Sequence, residues 1–301
     1  MTELKSKKDR TQDWLQAHLG HLSLRCHHCH QALSLEGYSL VCPQGHRVDS
    51  HKQGTYFLSN KSVDDHYDRQ LFQARRRFIQ ESAYYAPLQD LLNQLVSDHQ
   101  ASLGQSDLPY RILDAGSGEG SHLAWLLAQD SNHRIGLGVD LARAGIALAT
   151  DFNGQQLNLV GDLAQLPIGD HSIEGLLSIL SPSNYQEFDR VLAPGGRVFK
   201  VIPNAGYLAE IRRALGQETV KQTYDNQATR QVFESHYRHH QTYLVQEKRL
   251  LTDQAKADLV AMTPLTWHLD TSQASQLVES LPDEFLLDLT VLVGWKEQGF
   301  T

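Results

Sequence analysis

Ile112-Leu113-Asp114-Ala115-Gly116-Ser117-Gly118-Glu119-Gly120 runs from an apolar segment into three glycines spaced two apart. The apolar part fits a buried strand, and the glycines let the backbone turn sharply beneath a ligand before a helix begins. A dinucleotide fingerprint would require G-x-G-x-x-G, yet residue 121 is Ser and the third glycine comes one position early. A pyrophosphate at the following helix start would meet the Glu119 carboxylate and be repelled. A phosphate-cradling P-loop would require Gly-Lys-Ser/Thr, which is absent here. The loop therefore suits a ligand that carries positive charge and no phosphate.

On either side the pattern alternates. Apolar runs at Arg111–Ala115, Ile135–Asp140, Leu157–Val160, Ile173–Leu180 and Gly196–Ile202 fit parallel strands, with helical segments His122–Gln129 and Ala142–Phe152 between the first three. Strand and helix at this rhythm predict a doubly wound α/β domain. Thr242–Leu251 and Phe285–Trp295 are expected as closing strands around a helix at Gln254–Met262, after a polar, helical insertion over 204–240. The acids fall in series. Asp114 and Glu119 frame the loop, Asp140 ends the second strand, and Asp162-Leu163 follow the third. An acid after the second strand can accept from both ribose hydroxyls. One after the third can take an adenine amino group. Sulfonium and ammonium groups make S-adenosylmethionine the ligand that fits. A NAD-dependent enzyme is the main competitor for this block. The ordered series over about 108–203 resembles the class I S-adenosylmethionine-dependent methyltransferases.

The front of the chain differs. Cys26, Cys29, Cys42 and His46 make C-x2-C, twelve residues, then C-x3-H, and use every cysteine in the chain. Three thiolates and an imidazole fill a tetrahedron around one zinc and leave no open position, so the metal is expected to be structural. The competing reading is three buried cysteines beside a turn. His27, His28 and His30 stand too close to the first pair to complete a relaxed site, and are expected on the surface or facing RNA.

Composition sets limits. The chain has 301 residues, 41% of them hydrophobic and 21% charged, which excludes global disorder and favours about two domains. Its net charge of −8 is unevenly spread: the first 80 residues hold 12 Lys and Arg against 8 Asp and Glu. A polyanion is therefore tolerated at the front and disfavoured elsewhere. Without a long apolar run or a leader, the chain is expected to be cytoplasmic, with no membrane contact.

Together the blocks resemble one family, the bacterial 23S rRNA guanine-N1 methyltransferases of the RlmA type. Cys26-His27-His28-Cys29, Cys42-Pro43-Gln44-Gly45-His46 and Gly54-Thr55-Tyr56-Phe57-Leu58 follow its zinc knuckle. Gln73-Ala74-Arg75-Arg76 and Tyr85-Ala86-Pro87-Leu88 follow its linking helices, and Met262-Thr263-Pro264-Leu265-Thr266-Trp267 its Met-Thr-Pro segment. Residues 1–21 read as a polar, mobile or weakly helical arm, a departure from many members of that family, ahead of a zinc-knuckle RNA-recognition module (22–60), linking helices (61–104) and a methyltransferase domain (105–301). The resemblance implies one structural zinc on Cys26, Cys29, Cys42 and His46. Cofactor contacts are implied from Tyr85, Glu119, Gly120 and Leu208, and these join Asp114, Gly116, Gly118, Asp140, Asp162 and Leu163 from the residue pattern. The substrate implied is guanine 745 or 748 in a hairpin of 23S rRNA domain II, with homodimerisation compatible. Arg75, Arg76 and Arg77 are expected to hold RNA, against the plainer reading of a solvated helix face. Ser181, Asn184 and Tyr185 stand near the methyl-transfer position, but none is a strong base. The alternatives are a small-molecule methyltransferase with a zinc lid and a non-catalytic cofactor-binding regulator.

Overall fold

The computed structural model describes residues 5–63, 66–104, 108–216 and 226–296. Its first helix, α1 (Lys7–His18), is followed by four short strands, β1 (Ser34–Glu36), β2 (Ser39–Val41), β3 (Arg47–Asp49) and β4 (Tyr56–Phe57). Two helices come next, α2 (Arg69–Glu81) and α3 (Ala86–Ser102), the latter with Pro87 in its first turn, where a missing N–H costs nothing. The alternating block then gives β5 (Tyr110–Ala115), α4 (Ser121–Ala128), β6 (Arg134–Asp140), α5 (Arg143–Ala149), β7 (Leu157–Val160), β8 (Ile173–Ile179), α6 (Tyr185–Val191) and β9 (Leu192–Pro203). The chain continues through α7 (Ala209–Ala214), α8 (Gln227–His236), β10 (His239–Leu250), α9 (Asp253–Met262), α10 (Thr271–Ser280) and β11 (Glu284–Trp295). The helical insertion expected over 204–240 contains α7 and α8, while its residues 217–225 lie outside the described residues.

Eight strands form the main sheet in the order β10-β11-β9-β8-β5-β6-β7-β4. β4 through β9 of this sheet pair in parallel, whereas β11 runs antiparallel to both β9 and β10. The strand order reverses at β5, between β6 and β8, so a crevice opens beyond the carboxyl ends of β5 and β8. Helices cover both faces, which is why β6 and β7 are almost wholly buried apolar runs rather than alternating ones. This is the class I methyltransferase fold, with a mixed central sheet.

The cysteine-bearing segment is built into that sheet. β1, β2 and β3 make their own antiparallel sheet, but β4 pairs in parallel with β7, Tyr56 opposite Leu159 and Phe57 opposite Val160. Leu24, Cys26, Leu33, Leu40 and Cys42 share one continuous core with Leu137, Leu157 and Leu159. A segment too poor in apolar residues to make its own core thus borrows one. The N-terminal arm, expected to be mobile or weakly helical, is a docked helix. Ser6 caps α1 by accepting from the Asp9 N–H at 3.2 Å, and Thr11, Trp14 and Leu15 are buried. Asn153 Nδ2 donates to the Lys7 carbonyl at 3.2 Å and to the Gln53 carbonyl at 3.0 Å, joining arm, knuckle and sheet.

Candidate functional site

The loop after β5 occupies the crevice where the strand order reverses. Gly116 and Gly118 have φ of +86° and +58°, which a side chain rarely accepts. Space forbids one as well. A Cβ on Gly116 would come within 2.5 Å of Ser181 Cβ, and one on Gly118 within 2.4 Å of the Arg75 guanidinium. Asp140 holds the loop: its carboxylate accepts from Gly118 N–H at 2.9 Å and from Ala142 N–H at 2.7 Å. Around this turn, Asp114 Oδ1, Ser117 Oγ, Glu119 Oε2, Ser121 Oγ and His122 Nδ1 are buried with no hydrogen-bond partner. Glu119 Oε2 meets only the Arg75 guanidinium, at 3.3 Å. Buried polar atoms are nearly always satisfied, so such a cluster at one loop marks the seat of a polar ligand. Two of the atoms belong to carboxylates, which matches a cationic ligand. S-adenosylmethionine fits this donor set, and it supplies an electrophilic methyl group when bound.

A cavity of about 530 Å³ opens from the loop, within the range usual for small-ligand sites. Of the predicted cofactor residues, Tyr85, Gly116 and Leu208 line it. Leu208 starts α7 with φ of +58°, turning the chain over the cavity. Asp114, Gly118, Glu119, Gly120 and Asp140 lie in the loop and its hydrogen-bond network. Asp162 and Leu163 follow β7; the Leu163 side chain reaches Gly116, while the Asp162 carboxylate pairs with Lys61 at 2.6 Å and caps the Ala164 N–H.

Several cavity residues went unrecognised in the sequence, Tyr207, His122 and Lys200 among them. Tyr207 shares a 2.6 Å hydroxyl–hydroxyl bond with Tyr85. His122 meets the Tyr85 ring edge-on at 5.2 Å, and burial, with the Arg75 charge adding to it, pushes its pKa down to about 3. Lys200 lies at the floor, and its position inside the apolar run Val198-Phe199-Lys200-Val201-Ile202 was the available signal. The Met262–Trp267 segment forms the far wall, with Trp267 meeting Tyr67 edge-on at 5.3 Å.

The arginine run differs from the expected free basic face. Arg75 turns into the cavity and stands 3.3 Å from the Glu119 carboxylate. Arg76 donates to the Glu119 carbonyl at 3.1 Å and pairs with Asp151. Arg77 forks onto Asp258 of α9. Consecutive helical residues point about 100° apart, so three neighbours reach three different elements. Their charges are engaged within the chain.

Of the groups expected near the transfer position, only Ser181 reaches the cavity; its hydroxyl donates to the Ala115 carbonyl at 2.7 Å. Asn184 caps α6, and Tyr185 stacks on His236, which pairs with Asp189 at 2.7 Å. His236, His239 and His240 lie outside the cavity wall.

In the N-terminal segment, the ligand atoms of Cys26, Cys29, Cys42 and His46 all lie within 4.8 Å of one another. Cys29 Sγ to Cys42 Sγ is 3.5 Å, Cys26 Sγ to His46 Nδ1 is 3.7 Å, and Cys42 Sγ to the same nitrogen is 3.3 Å. A tetrahedron with zinc–sulfur bonds of ~2.3 Å has edges slightly under ~4 Å. The spacing thus fits one zinc, held through Nδ1 of His46 and three free thiols. His27 and His28 lie outside this set with their rings 3.9 Å apart and tilted by 40°, and His30 meets Gln165.

Residues 113–200 match the family described as Methyltransferase domain. The Bacillus subtilis (strain 168) protein YxjB, provisionally named a 23S rRNA (guanine-N(1)-)-methyltransferase, is 35% identical over 276 residues, covering 90% of this chain and 96% of its own. The 23S rRNA (guanine(748)-N(1))-methyltransferase of Streptomyces fradiae is 29% identical over 269 residues, covering 89% and 94%. Among solved structures, a SAM-dependent methyltransferase from Thiobacillus denitrificans in complex with S-adenosyl-L-homocysteine aligns with a TM-score of 0.46 at 14% identity, over 78% of this chain and all of that one. Among the described residues no helix is long and apolar enough to cross a membrane. With near-full-length identity of this degree, the chain belongs to the family of S-adenosylmethionine-dependent 23S rRNA (guanine-N1)-methyltransferases.

Proposed function

We propose that this protein methylates N1 of a guanine, nucleotide 745 or 748, in the domain II hairpin of 23S rRNA. The observation that carries the reading is the joining of two halves in one cavity. Gly116 of the glycine loop lines it beside Tyr85 and Leu208, and an aromatic pair, Tyr67 and Trp267, lines the same cavity. A base must leave its stack to enter such a cavity, which a hairpin loop permits at small cost. Tyr85, Asp114, Gly116, Gly118, Glu119, Gly120, Asp140, Asp162, Leu163 and Leu208 form the cofactor side in this reading. Cys26, Cys29, Cys42 and His46 hold a structural zinc that shapes an RNA-recognition module over 22–60. Residues 61–104 then link that module to a methyltransferase domain over 105–301. A ribosomal RNA substrate supports a cytoplasmic location.

The test is transfer of labelled methyl from S-adenosylmethionine to protein-free large-subunit rRNA lacking this modification, followed by primer extension. One reverse-transcription stop at 745 or 748 is expected, because N1 methylation blocks base pairing. Absence of incorporation, with cofactor shown bound, would overturn the rRNA reading.

A further inference from the structure

Lys200 is 4% exposed, yet its amine has only neutral partners. Nζ donates to Ser178 Oγ at 3.2 Å and to the Ser181 carbonyl. Among the described residues no carboxylate forms an ion pair with it. A buried ammonium without a counter-charge is costly, and burial pushes its pKa down to about 8. Such a charge is retained where something anionic comes to meet it.

Its position says what that is. Lys200 is on β9 beside β8, opposite Ser178, and it reaches the Ser181 carbonyl at the carboxyl end of β8. Ser181 in turn packs against Gly116 of the loop and donates to the Ala115 carbonyl. The amine therefore stands one residue away from the cofactor loop, on the cavity floor, with one donor left after its two bonds.

The cavity walls carry no Asp or Glu among the described residues. Their other titratable groups are Tyr67, Arg75, Tyr85, His122, Tyr207 and Arg212. His122 is held neutral and is a feeble base. Arg75 faces Glu119, and Arg212 donates to the Tyr207 and Ala205 carbonyls. A site without a carboxylate base can still remove the guanine N1 proton if it stabilises the anion left behind. Most of that negative charge falls on O6.

We propose that Lys200 is a catalytic residue that donates to O6 of the target guanine and holds the anionic base while N1 is methylated. The step balances. The N1–H bond breaks and its proton goes to water. The N1 lone pair forms a bond to the methyl carbon as the carbon–sulfur bond breaks, and sulfur keeps that electron pair. A fixed cation at a nearly buried position stabilises the developing oxyanion with little reorganisation. This inference rests on the guanine reading above and names the group that performs it.

The experiment compares wild type with Lys200→Met and Lys200→Arg in methyl transfer to the rRNA fragment, over pH 6 to 10. Cofactor affinity by calorimetry and RNA affinity by filter binding are measured on the same samples. Lys200→Met is expected to lower kcat by about 10²- to 10³-fold near neutral pH, the usual loss of an oxyanion donor. Cofactor affinity should stay within about threefold, and Lys200→Arg should restore part of the rate. The Met variant's rate should keep climbing with pH toward the range where free guanine N1 ionises, whereas the wild-type rate levels earlier. A Met variant with wild-type kcat overturns the proposal, as does an equal deficit at every pH with cofactor affinity lost. Wild-type transfer to a base other than guanine, or none at all, overturns this inference together with the reading beneath it. Guanine methylation that is indifferent to Lys200 overturns this inference alone.

Discussion

Asp114 shows how a single side chain reports on the site. It is the penultimate residue of β5, is 2% exposed, and leaves Oδ1 unpartnered. Burial pushes its pKa up from 3.8 to about 7, although the nearby Arg75 charge opposes the shift. Between those two values the folded chain holds a proton that the unfolded chain has lost, so stability falls as pH rises through the window. Asp114→Asn removes that titration while keeping the shape. The ligand-free variant should therefore be more stable than wild type at pH 8, by on the order of 4 kcal/mol at most, with the gap closing near pH 4. Cofactor affinity should fall in the same variant, since a cation loses its acid. Differential scanning fluorimetry across pH, with calorimetry for the cofactor, checks both halves. Two buried histidines act in the opposite sense on wild type. Burial chiefly holds His122 at about 3 and His99 at about 4, so the unfolded chain binds the extra protons below about 6.5. Two such groups outweigh one acid in that range. Wild-type stability should rise with pH up to about 6.5, and that of Asp114→Asn should rise more steeply over the same range.

Among the elements, α2 ties the site together. Arg75 reaches the loop, Arg76 the segment after α5, and Arg77 reaches α9, whose C-terminal end leads into the Met262–Trp267 wall. Asp258 is nearly buried, with a side-chain exposure of 3%, whereas Arg77 is 44% exposed. Removing Arg77 leaves an acid with little water and no fork to satisfy it. Arg77→Ala should cost about 1–3 kcal/mol, and Arg77→Ala/Asp258→Ala less than the sum of the single changes. Urea unfolding of the four proteins gives that coupling; simple additivity would show that the pair does not hold α9. The same helix marks what the sequence could show. Parallel strands were legible because β5 to β9 are buried on both faces and consist of apolar runs. The knuckle was legible because metal chemistry demands close, regular spacing. The destinations of the arginines were not legible, since Asp258 lies 181 positions from Arg77 and local pattern says nothing about it. Lys200 was hidden within a strand whose apolar neighbours set its reading. The docking of α1 was missed because its polar face dominates the composition, and only Thr11, Trp14 and Leu15 are buried.

On the scale of the whole molecule, the metal-binding segment and the catalytic domain are one folding unit. β4 extends the main sheet beyond β7, and the knuckle's apolar residues belong to the core under β6 and β7. Two strands inward, β5 carries the glycine loop. Zinc binding is folding energy for a segment that has no core of its own. In a pendant module, loss of the metal would unfold residues 22–60 and leave the remaining domain at its own melting temperature. Here it strips an edge strand and half the cover from β7. Chelation, or Cys26→Ser, should lower the single melting transition by about 10 °C. Amide exchange should quicken at Leu157–Val160 as well as at β1 to β3, because the β4 pairing that covers that edge is lost. It should stay slow in β9 and β11, on the far side of the sheet. Cofactor affinity should drop less than stability, since Asp140 and the loop are held by β5 and β6 rather than by β4. Two separate transitions after chelation, with unchanged protection at Leu157–Val160, would show that the knuckle hangs free of the sheet. The zinc would then shape only RNA contacts and contribute nothing to the catalytic fold.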